Sequence, residues 1–175
     1  MKKIAVIFAN GTEELEAFTP VDLLRRCMDT VCDIVSICGD MPKGSHDIVV
    51  KADKLIDDFC MDEYDAIVIP GGMPGAVNIS QNQKVIQSLK TAFDEGKIVA
   101  SICASPAVVL AKHGLIEGKK VTCYPFKDFV DAFKDSQYTG KNLQVDGNLI
   151  TANGPESAFE FAMEIAKSLG LTPKL

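Results

Sequence analysis

Residues 97–106 read KIVASICASP, and this stretch decides the fold class. Lys97 to Ile102 is predominantly apolar, which is typical of a strand that is buried on both faces of a sheet. Pro106 suits the first position of a helix, where the N–H that proline lacks is not needed. The stretch therefore predicts a strand, a tight turn that carries Cys103, and a helix from Pro106 to Lys112.

The same alternation of strand and helix extends along the whole chain. Strands are predicted at 4–9, 31–37, 66–70, 97–102 and 120–123, near 47–50, and in a hairpin of 143–145 with 148–151 around Asp146-Gly147. Helices are predicted at 14–27 with an interruption at Pro20, at 83–95 with Asn82 as the N-cap, and at 106–112, 127–133 and 155–169. This alternation predicts an α/β fold of flavodoxin-like type, with a doubly wound, mostly parallel sheet and helices on both faces.

Composition limits the classes of function. The chain has 175 residues, 47% of them hydrophobic, which fits a single domain over residues 1–175. The net charge is −6 and basic residues occur at most in adjacent pairs, so we expect no nucleic-acid partner. No apolar run reaches the roughly 20 residues that span a bilayer, and no secretion signal is visible, so we expect a cytoplasmic protein without a membrane partner.

Cysteine and histidine usage argues against a metal centre. The chain has six cysteines and two histidines, without a CxxC pair, so we expect reduced thiols, no metal and no cofactor. The glycine turn 71–75 lacks both the GxGxxG pattern and the GK[ST] ending of a phosphate loop, which disfavours nucleotide binding.

Cys103 is the candidate nucleophile. Ligands bind at the carboxyl ends of parallel strands, and Cys103 follows such a strand directly. A strand-to-helix turn that exposes a nucleophile, followed by the free amides of a helix start, favours the thiolate. The Ala104 amide and a donor from the Gly71-Gly72 turn could bind an oxyanion. The alternative is that Cys103 is a small residue filling the core.

Acidic residues after the first strand offer a partner for the thiol. Glu13, Glu14 and Glu16 follow that strand; an ionised carboxylate would raise the thiol pKa, whereas a protonated one would donate to the thiolate. The alternative is that at least two of them only line the first turn of a helix. Neither His46 nor His113 follows a parallel strand, which disfavours a Cys–His dyad within one chain and leaves open one across an oligomer interface.

Four ordered motifs resemble the ThiJ/PfpI superfamily, within it the branch of the Parkinsonism-associated protein deglycase and its bacterial chaperone-like relatives. They span nearly the whole chain: GTEELE at 11–16 followed by Pro20-Val21-Asp22, Tyr64-Asp65 through Ile69-Pro70-Gly71-Gly72, SICASP at 101–106, and Gly154-Pro155 before Phe159-Glu160-Phe161. The resemblance identifies Cys103 as the reactive residue.

The resemblance also implies roles for other residues. It makes Glu16 the acidic partner that is held protonated against the sulfur, and the backbone amides of Gly72 and Ala104 the oxyanion pocket. Gly71, Tyr124, Gly154 and Pro155 are implied to form the remainder of the pocket. The family is usually dimeric, and Arg26 and His46 are implied contributors to a homodimer interface.

Two departures from the family pattern bear on activity. Ala104 stands where the protease-like branch has histidine, so peptidase activity is not expected. Tyr124 stands where many relatives have histidine, and tyrosine is a poor base near neutral pH. Two functions remain: a glyoxalase or deglycase that acts on reactive dicarbonyls or glycated protein through Cys103 and Glu16, or a redox sensor or chaperone whose Cys103 stops at the sulfinic acid.

Overall fold

A computed structural model describes every residue from Met1 to Leu175. The strands are β1 (Lys2–Phe8), β2 (Thr30–Ser36), β3 (Lys54–Leu55), β4 (Ala66–Ile69), β5 (Ile98–Ile102), β6 (Lys120–Val121), β7 (Gln137–Tyr138), β8 (Leu143–Asp146) and β9 (Leu149–Ala152). The α-helices are α1 (Glu14–Arg25), α2 (Gly75–Gln81), α3 (Gln83–Asp94), α4 (Lys127–Val130) and α5 (Ala158–Ser168). No helix is both long enough and apolar enough to cross a membrane.

The main sheet has seven strands in the order β3-β2-β1-β4-β5-β9-β8. Every neighbouring pair is parallel except β8 and β9, which form the predicted hairpin, with Leu143 opposite Ala152 and Asp146 opposite Leu149. Parallel strands need crossover connections, and the helices supply them. The predicted α/β class with a mostly parallel sheet is confirmed.

Helices cover both faces of this sheet, as predicted. Val85, Ile86 and Leu89 of α3 belong to one buried apolar cluster, and residues of α1 and α5 such as Val21 and Phe161 belong to the other. The predicted N-cap of α3 is also confirmed, because the Asn82 side chain accepts a 3.1 Å hydrogen bond from the Val85 amide. The central strands are therefore buried on both faces, which explains their continuous apolar sequences.

Three predicted elements differ in the structure. Helix α1 runs through Pro20 without an interruption, although proline cannot donate a hydrogen bond to the Glu16 carbonyl. The strand predicted near residues 47–50 is absent; a single bridge joins Lys43 to Val49, and Asp47 has a left-handed φ of 65° that reverses the chain. The strand predicted at 120–123 is the two-residue β6, which pairs with β7 outside the main sheet.

Three helical segments are shorter or more irregular than the sequence predicts, and one α-helix is not predicted. The segment after Cys103 is a π-helical turn, Pro106–Leu110, followed by a 3-10 turn, Ala111–His113. The last helix likewise starts with a 3-10 turn, Pro155–Ser157, and α4 has four residues. Helix α2 begins inside the predicted glycine turn at Gly75.

Candidate active site

Cys103 occupies a strained turn between β5 and the π-helical turn. Its φ is 65°, a left-handed conformation that costs a non-glycine residue on the order of 1–3 kcal/mol. Two backbone hydrogen bonds hold the turn: the Cys103 amide donates to the Ala152 carbonyl at 2.9 Å, and the Tyr124 amide donates to the Cys103 carbonyl at 2.9 Å. The predicted convergence of strand ends around Cys103 is therefore present, and the thiol is half-buried.

The glycine turn brings Glu16 and Cys103 together. The Gly71 amide donates a 2.8 Å hydrogen bond to Oε2 of Glu16. A Cβ atom on Gly71 would lie 2.7 Å from the Cys103 Cβ and 2.7 Å from that same oxygen. Only glycine therefore leaves room at this position for the carboxyl group and the cysteine.

Backbone amides point at the cysteine sulfur, as the family resemblance implies. The amides of Ala104 and Gly72 both hydrogen-bond to Cys103 and lower the pKa of its thiol. Gly72 has a φ of 90°, and a Cβ there would lie 2.4 Å from the Glu13 amide nitrogen. Ser105, whose role sequence reasoning missed, ties the two turns together, because its hydroxyl donates to the Pro70 carbonyl at 2.6 Å.

Glu16 is fully buried and retains its proton to an unusually high pH. Burial raises the pKa of its carboxyl from 4.5 to about 7, while hydrogen bonds from the Gly71 amide and the Cys103 thiol oppose the rise and the charge of Glu13 adds to it. The second carboxyl oxygen, Oε1, is buried and meets no partner in good hydrogen-bonding geometry. A proton on Oε1 would leave that oxygen with an unused O–H donor.

The pKa of the Cys103 thiol is raised, against the direction that the sequence predicts. Burial raises it, the charge and hydrogen bonding of Glu16 raise it further, and the Ala104 and Gly72 amides only partly compensate. Because the two groups are like-charged when ionised, they titrate as one pair. Above about pH 7 the pair holds one proton, and the thiolate forms only when Glu16 is the group that keeps it.

The other two glutamates after β1 have separate roles. The Glu13 side chain caps α1 by accepting a 2.8 Å hydrogen bond from the Glu16 amide. Glu14 is buried and binds the loop before β3: it accepts from the His46 amide at 2.7 Å and from Ser45 Oγ at 3.0 Å, and lies 2.7 Å from His46 Nδ1. The prediction that two glutamates only line the first turn is therefore right for Glu13 and incomplete for Glu14.

Neither histidine is a base for Cys103 in this chain, as predicted. Nε2 of His113 lies 2.9 Å from the Ser80 carbonyl, to which it can only donate. His46 is exposed, and its pKa is raised by its hydrogen bond to Glu14. Side-chain atoms of Glu13, Glu14 and His46 lie within 4.8 Å of one another, but Glu13 and Glu14 already accept protein hydrogen bonds, so this cluster is part of the loop packing.

Three of the four predicted pocket residues line one cavity. Tyr124, Gly154 and Pro155, with Pro125, Asn153 and Glu156, surround a cavity of about 510 Å³. The ring of Tyr124 packs over Gly154, where a Cβ would lie 3.2 Å from the ring carbon Cδ2. Gly71 does not line this cavity and lies between Cys103 and Glu16 instead.

Arg26, one of the two implied interface residues, does not line the cavity beside Tyr124. It pairs with Asp22 at 3.1 Å and borders a groove that is lined by Phe18, Leu23, Phe159 and Leu175 among others.

The other five cysteines are also free, as expected from the sequence. Cys27, Cys32 and Cys123 are buried, and Cys38 and Cys60 are exposed. Burial raises the pKa of Cys32 and Cys123 to about 12.

Known proteins are similar to this chain in both sequence and fold. The model of the DJ-1/PfpI family matches residues 2–168. The Parkinson disease protein 7 homolog of Danio rerio is 36% identical over 171 residues, which cover 96% of this chain and 89% of that protein. Protein DJ-1 homolog B of Arabidopsis thaliana is also 36% identical, over 94% of this chain, but this chain spans only 37% of its length.

Solved structures agree with the sequence comparison. The structure of oxidised Toxoplasma gondii DJ-1 superposes with a TM-score of 0.89 at 40% identity, covering 97% of this chain and 91% of that one. Drosophila melanogaster DJ-1beta superposes with a TM-score of 0.89 at 35% identity, covering 96% and 90%. From the matched residues, the shared fold and these identities, we conclude that the chain belongs to the DJ-1/PfpI family.

Proposed function

We propose that this chain is a cysteine-dependent stress-response protein of the cytoplasm that acts on reactive dicarbonyls or early glycation adducts, as a glyoxalase or deglycase. The observation that supports this most directly is the placement of the Glu16 carboxyl beside Cys103, held by the Gly71 amide at 2.8 Å. A nucleophile, a proton carrier and two oxyanion donors are the groups that carbonyl addition requires.

The first step would be addition of the Cys103 thiolate to the aldehyde carbon of a dicarbonyl such as methylglyoxal. The new C–S bond forms as the carbonyl π electrons move to oxygen, and the amides of Gly72 and Ala104 stabilise the resulting oxyanion. Protonated Glu16 then gives its proton to that oxygen, which yields a neutral hemithioacetal. A carboxyl whose pKa is about 7 is suited to this transfer, since it is available in both forms near neutral pH.

The second step would use the carboxylate that the first step leaves. Glu16 removes the proton from the former aldehyde carbon, and electrons move from that C–H bond toward the neighbouring carbonyl oxygen to give an enediolate. Return of the proton to that neighbouring carbon gives a thioester, and water hydrolyses it to lactate and the free thiol. The overall reaction adds one water to methylglyoxal and requires no oxidant, reductant or cofactor.

Measurement of lactate formed from methylglyoxal, by proton NMR in ²H₂O, tests the proposal. We expect Cys103→Ser and Glu16→Leu to lower the rate at least about a hundredfold, which corresponds to about 2.7 kcal/mol of barrier. Cys38→Ser is the matched control, because Cys38 is exposed and lies after β2, and it should retain the wild-type rate. Equal rates in wild type and Cys103→Ser would refute the proposed chemistry.

One observation favours a second function, that of a redox sensor or chaperone. The buried Oε1 of Glu16 has no hydrogen-bond partner in the reduced protein. A sulfinic acid at Cys103 would place an oxygen beside it, and a protonated Glu16 could donate to that oxygen. This would stabilise the intermediate oxidation state of the cysteine against further oxidation.

We also propose that the chain forms a homodimer. Leu15 of α1 and Phe159 of α5 are 59% and 53% exposed, and an apolar groove bordered by Arg26 lies between these helices. Large exposed apolar side chains grouped on one face are typical of an interface. Sedimentation analysis of wild type and Phe159→Glu tests this: the wild type should sediment as a dimer and the variant as a monomer.

A further inference from the structure

The cavity that borders the reactive turn carries one charged side chain. Of its six lining residues, Glu156 alone has a carboxyl group in its side chain. Glu156 is exposed, and it takes part in no ion pair and no hydrogen bond. Its charge is therefore not neutralised within the protein and acts on whatever enters the cavity.

Both walls of this cavity are joined to Cys103 through the backbone. Tyr124 donates its amide to the Cys103 carbonyl, and the Cys103 amide donates to Ala152, directly before Asn153 and Gly154. The cavity therefore adjoins the turn that carries the sulfur, and Glu156 is the acidic side chain that lines it.

Acidic groups also act on the reactive thiol. Glu16 is the charged group that acts on Cys103, and Glu13 acts in turn on Glu16. The groups that act most strongly on the Cys103 thiol are Glu16 and the amides of Ala104 and Gly72, which include no basic side chain, and His46 is engaged by Glu14. The two amides serve the single oxygen at the reacting carbon.

We propose that Glu156 is a specificity-determining residue that makes this site select uncharged and cationic carbonyl compounds over carboxylate-bearing ones. A carboxylate-bearing 2-oxoaldehyde such as 4,5-dioxopentanoate brings a second negative charge toward Glu156, and like charges repel. Methylglyoxal brings a methyl ketone, and an adduct on a lysine or arginine side chain brings or borders a positive charge. The choice of carbonyl compounds rests on the proposed function, whereas the selection by charge does not.

Charged thiol reagents measure this selection without any turnover. Methanethiosulfonates that carry a trimethylammonium or a sulfonate group transfer their thioalkyl sulfur to a thiolate, which forms a disulfide and releases methanesulfinate. The ratio of cationic to anionic labelling rate is read at the Cys103 peptide by mass spectrometry at pH 7.5. The same ratio at exposed Cys38 on the same molecules corrects for intrinsic differences between the reagents.

Three variants make the labelling test specific. In wild type, the corrected ratio at Cys103 should exceed one. Glu156→Gln should lower the ratio about threefold or more, and Glu156→Lys should lower it further, since the interaction acts over several ångströms in partly screened surroundings. Glu160→Gln removes the same charge from the exposed first turn of α5, outside the cavity, and should leave the ratio unchanged.

An unchanged ratio in Glu156→Gln, or an equal drop in Glu160→Gln, would overturn the proposal. The turnover arm compares 4,5-dioxopentanoate, a carboxylate-bearing 2-oxoaldehyde that would yield 2-hydroxyglutarate, with methylglyoxal, and Glu156→Gln should raise the relative kcat/KM for 4,5-dioxopentanoate about threefold. If neither compound is turned over, the proposed function fails, yet the labelling ratio still decides whether Glu156 sets the charge preference. If both are turned over and the relative kcat/KM is the same in both proteins, Glu156 does not select substrates.

Discussion

The Gly71 amide donates a 2.8 Å hydrogen bond to Oε2 of Glu16, and this bond fixes the buried carboxyl against Cys103. The contact joins the turn after β4 to the first turn of α1. Oε2 of the carboxyl is thereby hydrogen-bonded, whereas Oε1 has no hydrogen-bond partner. The bond holds the carboxyl in one orientation, in which it can exchange a proton with the Cys103 sulfur. The Glu16 carboxyl is a titratable group without access to water. This burial both lowers the stability of the protein when the carboxyl is ionised and prepares the carboxyl for proton transfer.

Replacement of Glu16 by glutamine should stabilise the protein at high pH. The carboxyl has a pKa of about 7 in the folded state and a usual value of 4.5, so between these the folded state binds more protons and stability falls as pH rises. Glu16→Gln removes this loss of unfolding free energy, which amounts to at most about 3 kcal/mol above pH 7. Thermal unfolding should show a Tm gain of about 5–10 °C at pH 8 and a much smaller one at pH 5.

Glu160→Gln is the control for this gain, because it removes an exposed carboxyl of α5. It should change the Tm equally little at both pH values. A Glu16→Gln gain that is the same at pH 5 and pH 8 would mean that the carboxyl is not protonated by burial.

Mild peroxide should add two oxygens to Cys103 and no more. Each addition consumes one peroxide and releases one water, and a donor at position 16 stabilises the sulfinic acid. Glu16→Gln, which retains an N–H donor, should largely keep this product, whereas Glu16→Leu should lose it. Intact-mass measurement after a time course decides, and the same stable product in Glu16→Leu would contradict the role of the acid.

Tyr124 should contribute little to proton transfer. Its side chain is 48% exposed, and its hydroxyl forms no hydrogen bond within the chain. Tyr124→Phe should therefore leave methylglyoxal turnover within a few fold, since one neutral hydrogen bond is worth about 0.5–1.5 kcal/mol. A hundredfold loss, with the circular dichroism spectrum intact, would show that the hydroxyl takes part, and an acceleration by Tyr124→His would show that a base is limiting.

Gly71→Ala should separate Glu16 from Cys103. The new methyl would lie 2.7 Å from both the Cys103 Cβ and Glu16 Oε2, so the turn must shift, and we expect a loss of about 2 kcal/mol or more in unfolding free energy. Gly154→Ala is the matched control, because its backbone is extended and its nearest contact, 3.2 Å, is a tyrosine ring that can move. Urea denaturation of both variants should show a clearly larger loss for Gly71→Ala.

The sequence predicted the strands and long helices because their periodicities are local. Helix α2 escaped prediction because Gly75 and the preceding Pro74 are poor interior helix residues. In the structure Gly75 packs against Gly11, where a Cβ would lie 2.6 Å from backbone atoms, so tertiary contact determines the helix start. The strand predicted near 47–50 is absent for a similar reason: the buried Glu14 binds Ser45 and His46 directly before this segment.

The candidate site, like the fold, could be predicted from the sequence only in part. Cys103 could be selected from its position after a buried strand, but the choice of Glu16 among three neighbouring glutamates needed the family resemblance. The raised thiol pKa depends on the burial of both groups and on their proximity, which no spacing along the chain reveals. The bond between Glu14 and His46 joins residues 32 apart and likewise has no sequence signal.

The β8–β9 hairpin has a consequence for which insertions the chain tolerates. Its turn has a left-handed glycine, Gly147, and only four residues of β9 separate the turn from the cavity. One inserted residue would slip the pairing and reverse which side chains face the core. It would also move the Ala152 carbonyl away from the Cys103 amide. Loop length should therefore vary freely among relatives at many places but be constrained at this turn, although the turn itself contacts no substrate.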